Sequence, residues 1–488
     1  MNHLRLMLLL LLAPFLLDVP ARVSKGHEKG DYVRISAEEL EDRIRGGMLG
    51  QLLGNLNGLP HEFKYIDDPG KVEAFTPSLP NGARTDDDTD LEWVIATEIE
   101  QSGRVLLPPS RIVELWKTHI NRGIWCANRY ARTLMELGFE PPTTGNSIIN
   151  PWSEFNIAGQ FSCETFGLMA PAMPQTAAQI GLHYTHTTID GEPAQATQLF
   201  TAMIATAFVA RNLQKILNAG RDSVDPQSQI AGIVDGVRLL HAEQPDDWRA
   251  TREAIRRRWQ VHGGSFRDQN GYELNTAATI AALLYGEGDL VETIRLAFNF
   301  GWDCDNNAAT AATIIGVTKG RKWMNGQGWE IKDIYQNTTR DQMPMDETIT
   351  RFEDRVIECA RLVIAEQGGK VSMAGDDRYY DIPIQLPKNV ERLPTASQRE
   401  HERKELNRRI VQDLSGAPAD CARAVYLAIC FDKVGDFRKE HPQAWAAGVA
   451  ELKKKSAVLR SIFDALPETG ASLKKSARTA GFEPPPKN

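Results

Sequence analysis

Cysteine is scarce and unpatterned in this chain of 488 residues. The six cysteines, at 126, 163, 304, 359, 421 and 430, form no C-x-x-C pair and no Cys/His cluster with zinc spacing, so a structural zinc site of the usual kinds is excluded. In an exported protein Cys421 and Cys430 could pair, while buried free thiols are the expectation for most of the six. Long apolar runs are missing as well. Beyond the N-terminus no segment has the roughly 20 apolar residues that a membrane-spanning helix needs. Low-complexity sequence is absent, and alternating strand patterns are scarce. Basic charge is not in excess either: the formal net charge is −8. Residues 396–488 carry 17 Lys/Arg against 12 Asp/Glu, which leaves the rest of the chain at −13. An acidic main body argues against nucleic acid as the principal partner, because phosphate binding needs clustered basic charge.

What is present begins with an export signal. His3 and Arg5 precede a 12-residue apolar run from Leu6 to Leu17, and Val19-Pro20-Ala21 supplies small residues at the expected cleavage positions. The run is short for a membrane span, and no Cys follows it that would carry a lipid. The expectation is a signal peptide over residues 1–21, export to the periplasm or the medium, and no membrane span once the signal is removed. An uncleaved anchor is the competing reading.

The length exceeds what one compact core usually organises, so a main domain with an appendage is expected. Ser36 is a candidate N-cap with acids in the first turn after it. The following stretch places Gly46, Gly50, Gly54 and Gly58 four residues apart. Such a row on one helical face lets another backbone come close. Leu91, Val94, Ile95 and Ile99 form one apolar face, and Ile280, Leu283 and Leu284 another. Residues 194–215 read as continuous helix. Residues 140–151 are punctuated by Pro and Gly, giving a long loop of the kind that is more often functional than not. Helical pattern returns over 351–366 and stops at Gly368-Gly369. Residues 371–397 read as a linker or wrapping segment. Further helices are expected over 398–414 and 445–466.

Two acidic clusters stand out. The first is Arg84-Thr85-Asp86-Asp87-Asp88-Thr89-Asp90, just before the Leu91 helix. The second is Gly301-Trp302-Asp303-Cys304-Asp305-Asn306-Asn307, before a helix of small residues. Capping and the helix dipole explain one Asp in each. They do not explain four in five residues, or Asp-x-Asp. Neighbouring carboxylates resist joint ionisation unless a cation sits among them. Carboxylate, hydroxyl and amide oxygens are hard ligands, suited to Mg²⁺, Mn²⁺ or Ca²⁺. The spacing is not that of an EF-hand. Two distant clusters that converge would suggest a shared, two-metal centre.

These residues resemble the ADP-ribosylglycohydrolase family. Its members open with R-x-x-G-x-x-x-G-x-x-x-G-D-x-x-G-x-P-x-E, and residues 43–62 read R-I-R-G-G-M-L-G-Q-L-L-G-N-L-N-G-L-P-H-E, differing only at Asn55, where the family has Asp. The family's Thr/Ser-Asp-Asp-Thr is matched by Asp86-Asp87-Asp88-Thr89, and its G-G-D-T-D-T by Gly301-Trp302-Asp303-Cys304-Asp305-Asn306. Gly328-Trp329 is a loose counterpart of a Pro-Trp pair. The resemblance covers roughly residues 38–369 and leaves the C-terminal part unexplained.

The resemblance implies an all-α fold with a compact catalytic domain over 37–370; the residues beyond it read as a linker over 371–397 and a helical extension over 398–488. It also implies a metal-dependent glycosidase with two Mg²⁺ ions (Mn²⁺ as a substitute), acting on a small-molecule or ADP-ribosylated substrate. Carried across, its metal ligands fall on Asp86, Asp87, Asp88, Asp303, Asp305 and Asn306. Asp86 and Asn306 stand where Thr or Ser is usual, but each remains an oxygen donor. Cys304 sits beside two carboxylates that disfavour its thiolate, so packing is its expected role. Glu62 is the candidate general acid or base. His186, Gln160, Glu164 and Trp302 are candidate pocket residues, each with a structural role as its alternative. The expected chemistry is cleavage of an N- or O-glycosidic bond through an oxocarbenium-like state stabilised by nearby carboxylates. Two rivals stay open: hydrolysis of another glycosyl conjugate outside the cytoplasm, and a non-catalytic metal- or ligand-binding protein that keeps the fold.

Overall fold

A computed structural model of the chain describes residues 32–486; the expected export signal lies outside the described residues. The fold is all-α, as the helical periodicity implies, with two small three-stranded sheets at its periphery. Among the described residues no helix is long and apolar enough to cross a membrane.

The organising helix is Ala37–Gly58. Ser36 caps it, its hydroxyl accepting from the Glu39 amide at 3.1 Å. The glycine row faces the Cys304–Lys319 helix, which runs antiparallel to it. A Cβ built on Gly46 would lie 2.5 Å from the Gly316 carbonyl oxygen, one on Gly50 2.3 Å from that of Ala312, and one on Gly54 2.4 Å from that of Ala308. Those distances are too short for any side chain, so the two backbones touch along about three turns. At the far end Gly58 lies against the Asp305 backbone, where an added Cβ would come within 2.4 Å of its Cα. The end of one helix is thereby pinned to the acidic start of the other.

The helix Asp87–Ser102 is held to this pair from outside. Its approach strand, Ala83–Arg84, pairs parallel with Tyr335–Gln336. Beyond that pairing, Thr338 donates its amide to the Thr85 hydroxyl at 2.7 Å, and Arg340 meets Asp90 at 2.7 Å with both side chains fully buried. Arg340 also donates to the carbonyls of Arg122 (2.6 Å) and Gly123 (2.8 Å).

Three expectations need correction. Residues 194–215 are not one helix: Glu192–Ala207 ends where Arg43 captures the Phe208 carbonyl at 2.6 Å. Asn212 then caps a new helix, Leu213–Asp222. Likewise 445–466 divides into Pro442–Lys453 and Ser456–Asp464, with a break at Lys454-Lys455. The stretch 371–397 holds regular structure that the sparse alternation hid. Its strands Lys370–Ala374 and Asp377–Pro383 form a hairpin, and the second pairs antiparallel with Tyr32–Ser36.

The C-terminal helices dock firmly on the main body. Tyr426 lies buried with its hydroxyl 2.9 Å from that of Tyr130 and donating to the Ile149 carbonyl at 2.5 Å. Thr133 donates to Ser461 at 3.3 Å. All six cysteines carry free thiols, so Cys421 and Cys430 are not bridged.

Gly54→Ala should lower stability by about 1–3 kcal/mol, because the overpacked helix pair must separate. Gly232→Ala, on an exposed turn of the Gln229–Glu243 helix with nothing within 4 Å of its added Cβ, should instead gain roughly 0.5–1 kcal/mol. Denaturant titration of both variants checks the opposite signs.

Candidate metal centre and its cavity

Asp86 and Asp303 occupy N-cap positions, yet neither side chain caps its helix. Elsewhere in the molecule Asp247 and Asp289 do cap, accepting from backbone amides three residues on at 2.9 and 2.8 Å. The two cluster aspartates are thus turned to another task. Asp86 accepts from the Asn55 carboxamide at 3.1 Å, and Asp303 from that of Asn270 at 2.5 Å.

The helix contact brings the clusters together although they are more than 200 residues apart in sequence. Two carboxylate triads result: Glu62, Asp303 and Asp305 in one, Asp86, Asp88 and Asp305 in the other. Within each triad the ligand atoms lie within 4.8 Å of one another. Asp305 belongs to both. Its Oδ1 is buried without a hydrogen-bond partner among the described residues, a costly state for an ionised oxygen unless a cation takes it up. An all-oxygen set of this kind fits a hard divalent ion. Asn55 braces the second triad, its Nδ2 at 3.1 Å from Asp86, 3.1 Å from Asp88 and 3.3 Å from Asp305. One amide thus donates to all three acids of the second triad.

The triads line a cavity of about 530 Å³, together with Asp87 and a set of aromatic and polar side chains. Trp125, Trp152, Phe161 and Phe266 wall it, and Asn156, Asn270 and Arg129 add polar groups. Glu62 reaches it from a turn locked in place by Trp302, whose carbonyl accepts from the Phe63 amide at 2.9 Å while its own amide donates to Tyr65 at 3.2 Å.

Electrostatics follow from burying so many acids in one place. Burial, with the charges of Asp305 and Asp86, pushes the Glu62 carboxyl up to about 8. Burial and the Glu62 charge push Asp303 to about 8 as well. Burial first, then neighbouring aspartates, raises Asp87, Asp88 and Asp305 well above the usual carboxylate range. Asp90 is raised to about 6 by burial, with Arg340 opposing the rise. Each value refers to a centre without cations.

Several residues singled out in the sequence lie elsewhere. Asn306 turns its Oδ1 to Gln160 at 2.8 Å, behind the cavity. Gln160 bonds also to Thr279 and Asn307, and Glu164 accepts from Thr310; both are fully buried supports of the Asp305 helix. Trp302 is buried with its ring stacked on the Arg252 guanidinium at 4.4 Å and its Nε1 on Gln260. His186 lines a different cavity, paired with Glu391 at 3.0 Å. Burial alone would lower its pKa, but that partner lifts it to about 9. The sequence reading passed over Asn55 as a site residue, and also Asn270, Trp125 and Trp152. Asn55 carried a signal, as the single departure from the glycine-helix pattern.

A family model described as ADP-ribosylglycohydrolase matches residues 36–361. No curated protein matches the chain.

A carboxyl with a raised folded pKa binds its proton more tightly in the native state. Stability is therefore undiminished below the ordinary values of 4.5 and 3.8 and falls as pH rises through those near 8 for Glu62 and Asp303. In EDTA the melting temperature should drop steadily between about pH 5 and about pH 8.5, and Asp305→Asn should flatten that slope. A melting temperature that rises over this interval would contradict the charge reading.

Proposed function

Because the chain belongs to the ADP-ribosylglycohydrolase family, we propose that it is a metal-dependent hydrolase that cleaves the glycosidic bond of an ADP-ribosyl or related ribosyl conjugate. The reading rests on one observation above all, the sharing of Asp305 between two carboxylate triads at the floor of one cavity. That sharing is the arrangement two adjacent cations would use, with Asp86, Asp88, Asp303 and Asp305 as their carboxylates. When bound, Mg²⁺ or Mn²⁺ would supply charge neutralisation and Lewis-acid orientation of sugar hydroxyls.

The remaining work falls to the chain itself. Glu62 is half-buried at the cavity wall, where burial and the neighbouring Asp305 and Asp86 charges favour its protonated form. We assign it the transfer of a proton at the scissile bond, first to the leaving group and then from the attacking water. Asp87, facing the cavity beside the triads, adds negative charge where an oxocarbenium-like sugar would develop positive charge. The rings of Trp125, Trp152 and Phe266 offer faces for a planar base or an apolar sugar face.

Saturating Mg²⁺ or Mn²⁺ should raise the melting temperature, and a concentration of 100 times Kd corresponds to about 2.7 kcal/mol. Asp303→Ala with Asp305→Ala should abolish the rise. Glu62→Gln, which keeps an oxygen donor in its triad, should keep part of the rise but lose at least about 100-fold in turnover, the size of a general acid–base contribution. ADP-ribosyl-arginine, ADP-ribosyl-serine and simple ribosides are the substrates to compare for cation-dependent release. Tight ADP-ribose binding with no turnover on any of them would instead identify a binding protein on this fold.

A further inference from the structure

A second concavity, of about 650 Å³, adjoins the carboxylate cavity, and the two share Trp125 and Arg129 as a common wall. Its charge is opposite in sign. Arg122, Arg129 and Arg132 of the main body face Lys454, Lys455 and Arg460 of the C-terminal extension, and Glu136 is the sole carboxylate in its lining. Some of these cations have partners: Arg122 meets Asp341 at 3.1 Å, Arg129 meets Asp464 at 3.4 Å, Lys454 meets Glu451 at 2.7 Å, and Arg132 meets Glu136. No carboxylate among the described residues pairs with Lys455 or Arg460. Burial would raise Glu136, yet the hydrogen bond and charge of Arg132, with the fields of Lys117 and Lys455, hold it below the usual range. Even with that acid ionised, the groove keeps an excess of positive charge.

The cations are presented by a fixed scaffold. The helix Ser456–Asp464 packs on Cys126–Met135 through the Thr133–Ser461 contact, and the extension is anchored at Tyr130 and Tyr426. The helix break at Lys454-Lys455 falls at the edge of this groove. Without the extension the mouth would keep three arginines and Glu136, beside a strongly acidic cavity. Trp125, 61% exposed, stands on the shared wall.

We propose that this basic groove, completed by the C-terminal extension, binds an anionic group of the phosphate class on the same substrate whose sugar enters the carboxylate cavity. The inference rests on the hydrolase reading for that cavity. A ligand spanning both spaces must offer neutral hydroxyls at one end and negative charge at the other. The acidic cavity alone would repel such an anion, and the groove offsets that field where the two meet. Arginine forks suit phosphate oxygens. The volume is that of a small-molecule site, so the occupant is a substituent of a small ligand and not a polymer backbone.

The test uses the full-length mature chain in EDTA with inorganic pyrophosphate as probe, titrated by calorimetry, so that it reads the groove independently of cations and turnover. Pyrophosphate should bind, more weakly as salt rises. Lys454→Glu with Lys455→Glu should weaken binding roughly ten-fold or more, and Arg460→Glu similarly, as expected for lost charge-assisted hydrogen bonds. Lys474→Glu with Lys475→Glu makes the same change in net charge on the Pro467–Thr479 helix outside the groove, and should stay within about two-fold of the parent, since exposed distant charges are screened. Absence of pyrophosphate binding would overturn the proposal. So would equal weakening in both double variants, or a single-stranded oligonucleotide that binds the groove far more tightly than pyrophosphate. If the groove result stands while no riboside or ADP-ribosyl compound is hydrolysed, the hydrolase reading alone fails.

Discussion

Two helices whose backbones touch govern this molecule. The glycine row of Ala37–Gly58 against the small-residue face of Cys304–Lys319 removes every side chain that would hold them apart. Contact at that distance fixes both the spacing and the rotation of the pair. It leaves Asn55, Gly58 and Glu62 opposite Asp303 and Asp305, and the chemistry follows from that register. A bulkier residue near the Gly54–Gly58 end of the row would press on the backbone at Ala308 and Asp305, when a cation site tolerates only tenths of an ångström.

The centre so formed is electrostatically unfavourable by itself. Burial and mutual repulsion raise Glu62, Asp88, Asp303 and Asp305 together, and Asn55 can satisfy only part of the demand. The surrounding structure accommodates this by rigid support. Arg340 neutralises Asp90 below the cluster, Gln160 holds Asn306, and Asn275 accepts from the Asp303 amide at 3.1 Å. Such a site could hold metal ions, and its acids are kept close by rigid support at a cost in stability.

The C-terminal extension belongs to the same design. It is docked by buried tyrosines beside the cavity mouth, and it carries most of the chain's local surplus of positive charge. An acidic floor and a basic annex meeting at Trp125 and Arg129 make a two-signed surface from parts that are remote in sequence.

Much of this was readable in the linear chain. The helical class, the N-cap at Ser36, the four-residue glycine spacing and the two Asp clusters are local patterns. Local patterns are legible because helix periodicity and capping depend on neighbours within a few residues. Residue type also pointed to hard-cation chemistry, since carboxylate and amide oxygens dominate both clusters. Other features depended on the third dimension. Side-chain direction decided that Asn306 and Gln160, both marked in the sequence, face each other behind the cavity while Trp152 and Asn156 line it. Pairing across hundreds of residues turned 370–383 into a hairpin on Tyr32–Ser36 and put His186 beside Glu391 instead of beside the carboxylates. Sequence by itself determined which chemical groups were available and which segments were helical; tertiary packing decided which of those groups share a cavity, because proximity between distant residues comes from how helix faces fit together and not from their order along the chain.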